Sequence, residues 1–146
     1  MTNTSSQFLE QFQGSFSGIL RWHQLDELWL KVQEMNSNWY VYHVGEKVPE
    51  KTISTEKLSE FIQHLDHLLR TDHDEKYCGI VYVDDKQQPG FIKVYDPNNL
   101  GSVCGSSGAP PPLPGWTISL EQPTDLQLAF PPPANRRRWW KKIFSS

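Results

Sequence analysis

Two stretches of the chain repeat their apolar residues at the spacing of an amphipathic helix. In KTISTEKLSEFIQHLDHLLRTD, residues three and four apart form one stripe that consists of Leu58, Phe61, Ile62, Leu65, Leu68 and Leu69. Ser54 stands at the N-cap position, and Ile53 and Leu58 occupy the positions of a hydrophobic staple. An earlier stretch ends at Asn36 and has the same spacing at Leu25, Leu28, Trp29, Val32 and Met35. Both helices are expected to cover a core.

A shorter helix is predicted near the amino terminus. Phe8, Phe12 and Phe16 lie four residues apart and form a stripe, and Gly14 and Gly18 loosen its end.

Four stretches rich in β-branched and aromatic residues predict strands. NWYVYHVG is apolar on both faces and is typical of a buried strand. YCGIVYV and GFIKVYD are joined by DDKQQPG, a link short enough for an antiparallel hairpin. WTISL, bounded by Pro114 and Pro123, predicts an edge strand. We therefore predict an α+β domain over residues 5–122, with a small, largely antiparallel sheet of three to four strands and two or three helices on one face.

The character of the chain changes after Asp96. DPNNLG predicts one helical turn, and GSVCGSSGAPPPLPG predicts an irregular, Pro-rich loop. Pro111 and Pro114 have P-x-x-P spacing, but no basic residue is adjacent, so we interpret the prolines as a stiff part of the loop. No core element is expected after Pro123, and residues 123–146 are predicted to form a Pro-containing, basic-aromatic tail.

Charge is distributed unevenly along the chain. Of 14 Lys and Arg residues, five lie in the last 11 residues, so nine remain in the preceding 135 residues against all 17 acids, a balance of −8. An acidic body repels nucleic acid and anionic lipid, whereas the basic tail is attracted to either of them, or to the body itself.

The tail sequence RRRWWKKIF combines cations with large apolar side chains. On a helical wheel, the four apolar side chains span an arc of about 140°, opposite four of the cations. A helix this short is marginal alone and needs a surface on which to fold, and PPPAN before it is a stiff spacer. The predicted contact residues are Arg136, Arg137, Arg138, Trp139, Trp140, Lys141, Lys142, Ile143 and Phe144. The alternative that the tail packs on its own domain stays open.

Cys104 in VCGSSG is the best candidate nucleophile, because glycines let backbone N–H groups converge near the sulfur. The run lacks the closing arginine of phosphatase loops, the Gly-Lys-Ser/Thr of P-loops and the G-x-S-x-G pattern. His43 could serve as its base, although a buried, hydrogen-bonded histidine is the plainer interpretation. A thiol enzyme is therefore the alternative, not the leading prediction.

Aromatic side chains on the predicted strands raise a third possibility. Phe91, Lys93 and Tyr95 share one strand face, as Tyr40 and Tyr42 share another, and exposed rings on a sheet can stack RNA bases. Because the acidic body has no basic footprint outside the tail, nucleic acid is not the expected partner.

Histidines do not indicate a metal centre here. His64 and His67 are three residues apart on a predicted helix, but both fall outside its leucine stripe and are expected to face solvent. We predict neither a metal nor another cofactor.

The leading prediction is a small non-enzymatic adaptor whose tail engages a partner protein or an anionic membrane surface. Two cysteines are too few for a disulfide framework, the first residues do not resemble a secretory signal, and no stretch of 18 apolar residues occurs. These features predict a cytoplasmic protein, peripheral at a membrane if the tail binds one. The sequence does not determine the oligomeric state.

Overall fold

The computed structural model describes residues 4–99 and 113–130. In chain order the elements are α1 (Thr4–Phe12), β1 (Ser17–Ile19), α2 (Trp22–Glu34), β2 (Tyr40–His43), α3 (Thr55–Asp72), β3 (Val81–Val83), β4 (Phe91–Val94), a 3₁₀ turn (Pro97–Asn99), β5 (Trp116–Ser119) and α4 (Leu126–Ala129). The α+β class, the predicted hairpin and the turn at Pro97 are thereby confirmed. Most of the predicted Pro-rich loop and most of the tail lie outside the described residues.

The sheet has five antiparallel strands in the order β1-β3-β4-β5-β2, rather than the predicted three to four. The additional strand is β1, which is only three residues long and contains Gly18. A strand of three residues is too short to show the alternation of apolar and polar side chains from which strands are predicted. Its pairing with β3 holds it in the sheet.

The prediction that β5 lies at an edge is wrong. It pairs with β4 on one side and with β2 on the other, and its residues Thr117, Ile118 and Ser119 are fully buried. The flanking prolines limit the length of a strand, but they do not determine how many neighbours it has. The two edge strands of the sheet are β1 and β2.

Helices α2 and α3 cover one face of the sheet, as their periodicity predicts. The stripe of α3 is buried at Leu58, Ile62, Leu65 and Leu69 and packs in one cluster with Ile92 and Val94 of β4. Ser54 is the N-cap of α3, and its hydroxyl oxygen accepts a hydrogen bond from the Lys57 backbone N–H at 3.2 Å. Both amphipathic helices are therefore confirmed.

Helix α1 lies on the opposite face, so the prediction of helices on one face only is corrected. Phe91 alternates along β4 with the residues that face α2 and α3, and its ring centroid lies 4.9 Å from that of Phe8 and 6.1 Å from that of Phe12. Phe16 lies beyond the end of α1, yet its ring packs edge-on against Phe91 at 5.5 Å. Because both faces of β4 carry apolar residues, helices must shield each face from solvent.

Helix α4 adds a core residue after Pro123, where none is expected from the sequence. Leu126 is fully buried among the aromatic residues of the α1 face, and its backbone N–H donates to the Tyr42 hydroxyl oxygen at 3.3 Å. Asp125 caps this short helix by accepting hydrogen bonds from the N–H groups of Gln127 and Leu128. This segment therefore packs on the sheet through α4.

Candidate functional site

The tail residues predicted to make external contacts lie outside the described part of the chain, as does Cys104. Their roles remain predictions. The described chain ends at Phe130, whose ring centroid lies 5.5 Å from that of Phe12 on α1. The tail is therefore joined to the domain beside α1.

The strand register brings the aromatic residues noted in the sequence to the same face of the sheet. Tyr42 lies opposite Thr117, Thr117 opposite Lys93, and Lys93 opposite Tyr82 in adjacent strands. Since opposite residues project from the same face, these four side chains form a row across the sheet on the side that α1 covers. We call this row, together with Phe12 and Phe16 above it, the Lys93 site.

Lys93 projects from the centre of the sheet towards two aromatic rings. Its Nζ lies 4.1 Å from the ring centroid of Phe12 and 3.9 Å from that of Phe16. Within residues 4–99 and 113–130, no carboxylate forms an ion pair with this ammonium group. The half-buried charge is therefore held by ring faces rather than by an anion.

Burial lowers the pKa of Lys93 to about 8, because the charged form loses hydration on the sheet. The two ring faces act in the opposite direction, since their negative quadrupoles favour the ammonium form. A substantial fraction of neutral amine near pH 8 distinguishes this lysine from an ordinary solvated lysine.

Thr117 is the second polar group of the row. Its side chain is fully buried, and Oγ1 has no hydrogen-bond partner in the part of the chain that the structure describes. Because opposite residues of an antiparallel pair have Cβ atoms about 4.5–5.5 Å apart, this hydroxyl is adjacent to the stem of Lys93. The described part of the row thus contains a buried hydroxyl without a hydrogen-bond partner and, on the neighbouring strand, a lysine without an ion pair.

A pair of tyrosines borders the site towards β1. The rings of Tyr82 and Tyr95 meet edge to face at 5.7 Å, and the Tyr82 ring lies over Gly18. A Cβ at Gly18 would lie 3.3 Å from that ring, so glycine permits the close approach. Burial raises the pKa of Tyr95, with a further contribution from Tyr82, and the hydroxyl stays neutral where Lys93 titrates.

No protein-family model, curated protein or solved structure matches the chain. The chemistry of its own residues is therefore the basis for a functional proposal.

The rings considered for base stacking do share one face, but two of them are covered. Phe91 is fully buried beneath the rings of α1, and Tyr42 is 1% exposed. Tyr40 and Tyr82 are half-buried. A stacking platform needs accessible ring faces, so these contacts count against the RNA alternative.

The three histidines considered in the sequence analysis are all exposed. His64 and His67 are exposed on α3, as predicted. His43 is also exposed and stacks on Trp116 at 5.4 Å, so the expectation of a buried histidine there is wrong. An edge strand leaves this side chain uncovered. The described residues contain no cluster of three potential metal ligands.

Cys78 is fully buried, and burial raises the pKa of its thiol. Because little of the Cys78 thiol is ionised and a reagent cannot reach it, we expect Cys78 to react with a thiol reagent only when the domain opens. The measurement is reaction with an aromatic disulfide in a Cys104→Ser variant, with and without urea. Labelling within seconds in native buffer would contradict the buried position.

The importance of Thr117 and Phe12 around Lys93 is not readable from the sequence. Lys93 is visible within an aromatic strand, but Thr117 becomes its neighbour only through the pairing of β4 with β5. Only a prediction that WTISL is a central strand could have identified Thr117 as a neighbour of Lys93.

Within the described ranges, every helix is too short or too polar to cross a bilayer.

Proposed function

We propose that this protein is a small non-enzymatic adaptor, in which an acidic α+β domain carries a basic-aromatic recognition segment at residues 136–144. The observation that carries the proposal is the segregation of charge: the first 135 residues have a balance of −8, and five cations surround Trp139 and Trp140 in the remaining 11. Such a segment suits a surface that is both acidic and apolar, either on a partner protein or at an anionic membrane.

The packing of the domain supports separate roles for the domain and for the segment. Both faces of the sheet have their own apolar clusters among the described residues, built from α2 and α3 on one side and from α1 and α4 on the other. The domain therefore has a core of its own within residues 4–99 and 113–130, and the proposal assigns the aromatic side chains of residues 136–144 to an external contact.

The spacer between the domain and the segment has a limited reach. Residues 131–135 read PPPAN, and an extended proline-rich stretch covers about 3.1 Å per residue. We therefore expect the segment to act within about 15 Å of Phe130, which packs against Phe12. This distance holds the acidic domain off an anionic surface while the cations contact it.

We place the protein in the cytoplasm, peripheral at a membrane where the segment binds lipid. Two cysteines are too few for a disulfide framework, and Cys78 is a free thiol in the core. A Cys104→Ser variant separates the adaptor from a thiol enzyme, because only the adaptor keeps its function.

Replacing Trp139 and Trp140 with Ala is expected to abolish binding and to leave the domain folded. Tryptophan anchors contribute most of the affinity at such interfaces, whereas cations contribute on-rate and orientation. Sedimentation with vesicles of neutral lipid, with and without phosphatidylserine, tests the membrane, and capture from the native cell extract tests a protein partner. Each uses the wild type and the double variant, with circular dichroism to verify folding.

Charge reversal at Arg137, Arg138, Lys141 and Lys142 provides the matched comparison. Binding to anionic vesicles should weaken, and added salt should no longer reduce it, because the attraction that salt screens over about 8 Å at physiological ionic strength has been replaced by repulsion. Suppose instead that the double tryptophan variant melts several degrees lower, and that neither vesicles nor extract distinguish it from the wild type. The tail would then be part of the fold, and the adaptor proposal would fail.

A further inference from the structure

Helix α1 and the turn that follows it lie on the sheet without being part of the strand ladder. We call residues 4–16, which end at Phe16, the cover. At the end of α1 the Gln13 N–H donates to Leu9 O, within the same segment. The rings that join the cover to Phe91 of the sheet are those of Phe8, Phe12 and Phe16. A segment attached by side chains can separate from the sheet while the strands stay paired.

Lys93 is a charged residue inside this contact. Its Nζ lies 4.1 Å from the ring centroid of Phe12 and 3.9 Å from that of Phe16, so rings of the cover take the place of water around the ammonium group. When the cover separates from the sheet, water can return to Nζ. The protonation of Lys93 and the position of the cover are therefore coupled.

The rings have two effects of opposite sign on the ammonium group. Their faces attract the cation, whereas the loss of hydration disfavours it. Loss of hydration dominates, since burial lowers the pKa of Lys93 from 10.5 to about 8. No carboxylate of residues 4–99 and 113–130 forms an ion pair with Lys93 that would offset this loss. Lys93 is therefore a weaker base beneath the closed cover than in water.

The titratable groups nearest Lys93 in the row and on its own strand are tyrosines: Tyr82 of β3, Tyr95 of β4 and Tyr42 of β2. Burial raises the pKa of both Tyr95 and Tyr42, so these two hydroxyls stay neutral at pH 9. Thr117 of β5 and the rings of the cover do not titrate. Two carboxylates lie on the helices of this face: Glu10 of α1 is exposed, and Asp125 at the start of α4 acts on Tyr42. Lys93 is the amine of the row, and its pKa lies between pH 7 and 9.

We propose that the cover responds to pH through Lys93: the ammonium form loosens the cover, and the neutral amine lets it close on the sheet. With the cover open, Lys93 is hydrated and its pKa returns towards 10.5. Between the two pKa values an open molecule binds more protons than a closed one. Closing therefore weakens as pH falls from 10.5 to about 8, and is constant at lower pH.

Opening of the cover has consequences for two neighbouring rings. Phe91 loses the rings that bury it, and Phe130 loses its contact with Phe12 at 5.5 Å. The coupling itself does not depend on the proposed role of residues 136–144, because the groups that produce it all belong to the domain.

Amide hydrogen exchange of the full chain tests the coupling without a variant that could fail to fold. The protection of α1, corrected for the intrinsic exchange rate at each pH, should be about tenfold higher at pH 9 than at pH 7. At both pH values α3 should be more strongly protected than α1, because the cover opens on its own. Protection of α1 that is constant or that falls at pH 9 would overturn the proposal, and so would equal protection of α1 and α3.

A matched pair of variants assigns the response to Lys93. Lys93→Met removes the charge and keeps the length of the side chain, so the protection of α1 should rise about tenfold or more at pH 7 and be the same at pH 9. Lys86→Met makes the same change in the exposed link between β3 and β4, and should keep the pH response of the wild type. Lower protection of α1 in Lys93→Met would mean that the ammonium holds the cover through its ring contacts, and the proposal would be wrong.

Titration of Lys93 gives an independent measurement, with its signal assigned by its absence in Lys93→Met. The ¹³Cε shift of labelled lysine should give a pKa of about 8 in the wild type. Phe12→Ala removes a ring from Nζ and should move this pKa towards 10.5, whereas Phe61→Ala, on the opposite side of the sheet, should leave it unchanged. A wild-type pKa near 10.5 would show that the cover does not dehydrate the ammonium group, and the proposal would fail.

Discussion

Replacing Leu65 with Ala should lower the free energy of unfolding by about 2–5 kcal/mol. Leu65 is 3% exposed and lies in the centre of the α3 stripe, within the cluster that joins α2, α3 and the sheet. The loss combines the transfer free energy of the removed carbons with the cost of the cavity, which close packing on both sides prevents from collapsing. Urea denaturation followed by circular dichroism measures the change.

Leu30→Ala is the matched control for this substitution. It makes the same chemical change in the helix α2, but Leu30 is 58% exposed, so the cost should stay within about 0.5 kcal/mol. A cost below about 0.5 kcal/mol for Leu65→Ala as well would mean that the α3 stripe does not cover the core.

The helices were predictable because their apolar residues recur over many turns. In α3 the stripe runs from Leu58 to Leu69, and Ser54 marks where the helix begins. The local sequence pattern alone already favours a helix here, and tertiary packing stabilises it further. The strand β1 offered no such repetition, since three residues with a glycine at their centre fit a loop equally well.

The arrangement of the sheet was harder to predict, because it depends on pairing between distant segments. Trp116–Ser119 could be identified as a strand, but its central position follows from β2 and β4 both pairing with it. The face that α1 covers was also undetermined. In β4, Phe91 and Ile92 point to opposite faces and are both fully buried, so the strand pattern does not say which face meets which helix.

These two ambiguities also limited what could be said of the Lys93 site. Lys93 was recognisable as a cation in an aromatic strand, whereas its contacts with Phe12 and Thr117 require the correct face for α1 and the correct neighbour for β4. The proposed recognition segment differs, since its prediction depends on composition rather than on strand pairing. A site whose residues come from different strands can thus be identified only when the order of the strands in the sheet is known.

Replacing Phe91 with Ala is the variant expected to separate α1 from the sheet. Phe91 is fully buried, and its ring contacts those of Phe8, Phe12 and Phe16 at centroid distances of 4.9, 6.1 and 5.5 Å. Truncation of a buried phenylalanine costs about 3–5 kcal/mol, and each lost ring pair contributes to that cost. Since these ring contacts hold α1 on the sheet, its amides should exchange faster than those of α3.

Hydrogen exchange resolved by segment, together with denaturation, measures both effects of Phe91→Ala. Phe61→Ala is the control, because it makes the same change on α3, where Phe61 is half-buried and packs against the opposite cluster. It should cost less stability and leave the exchange of α1 unchanged. If α1 in Phe91→Ala keeps the protection of the wild type, other contacts hold it in place. Its rings would then still lie over Lys93, and loss of Phe91 would leave the Lys93 site intact.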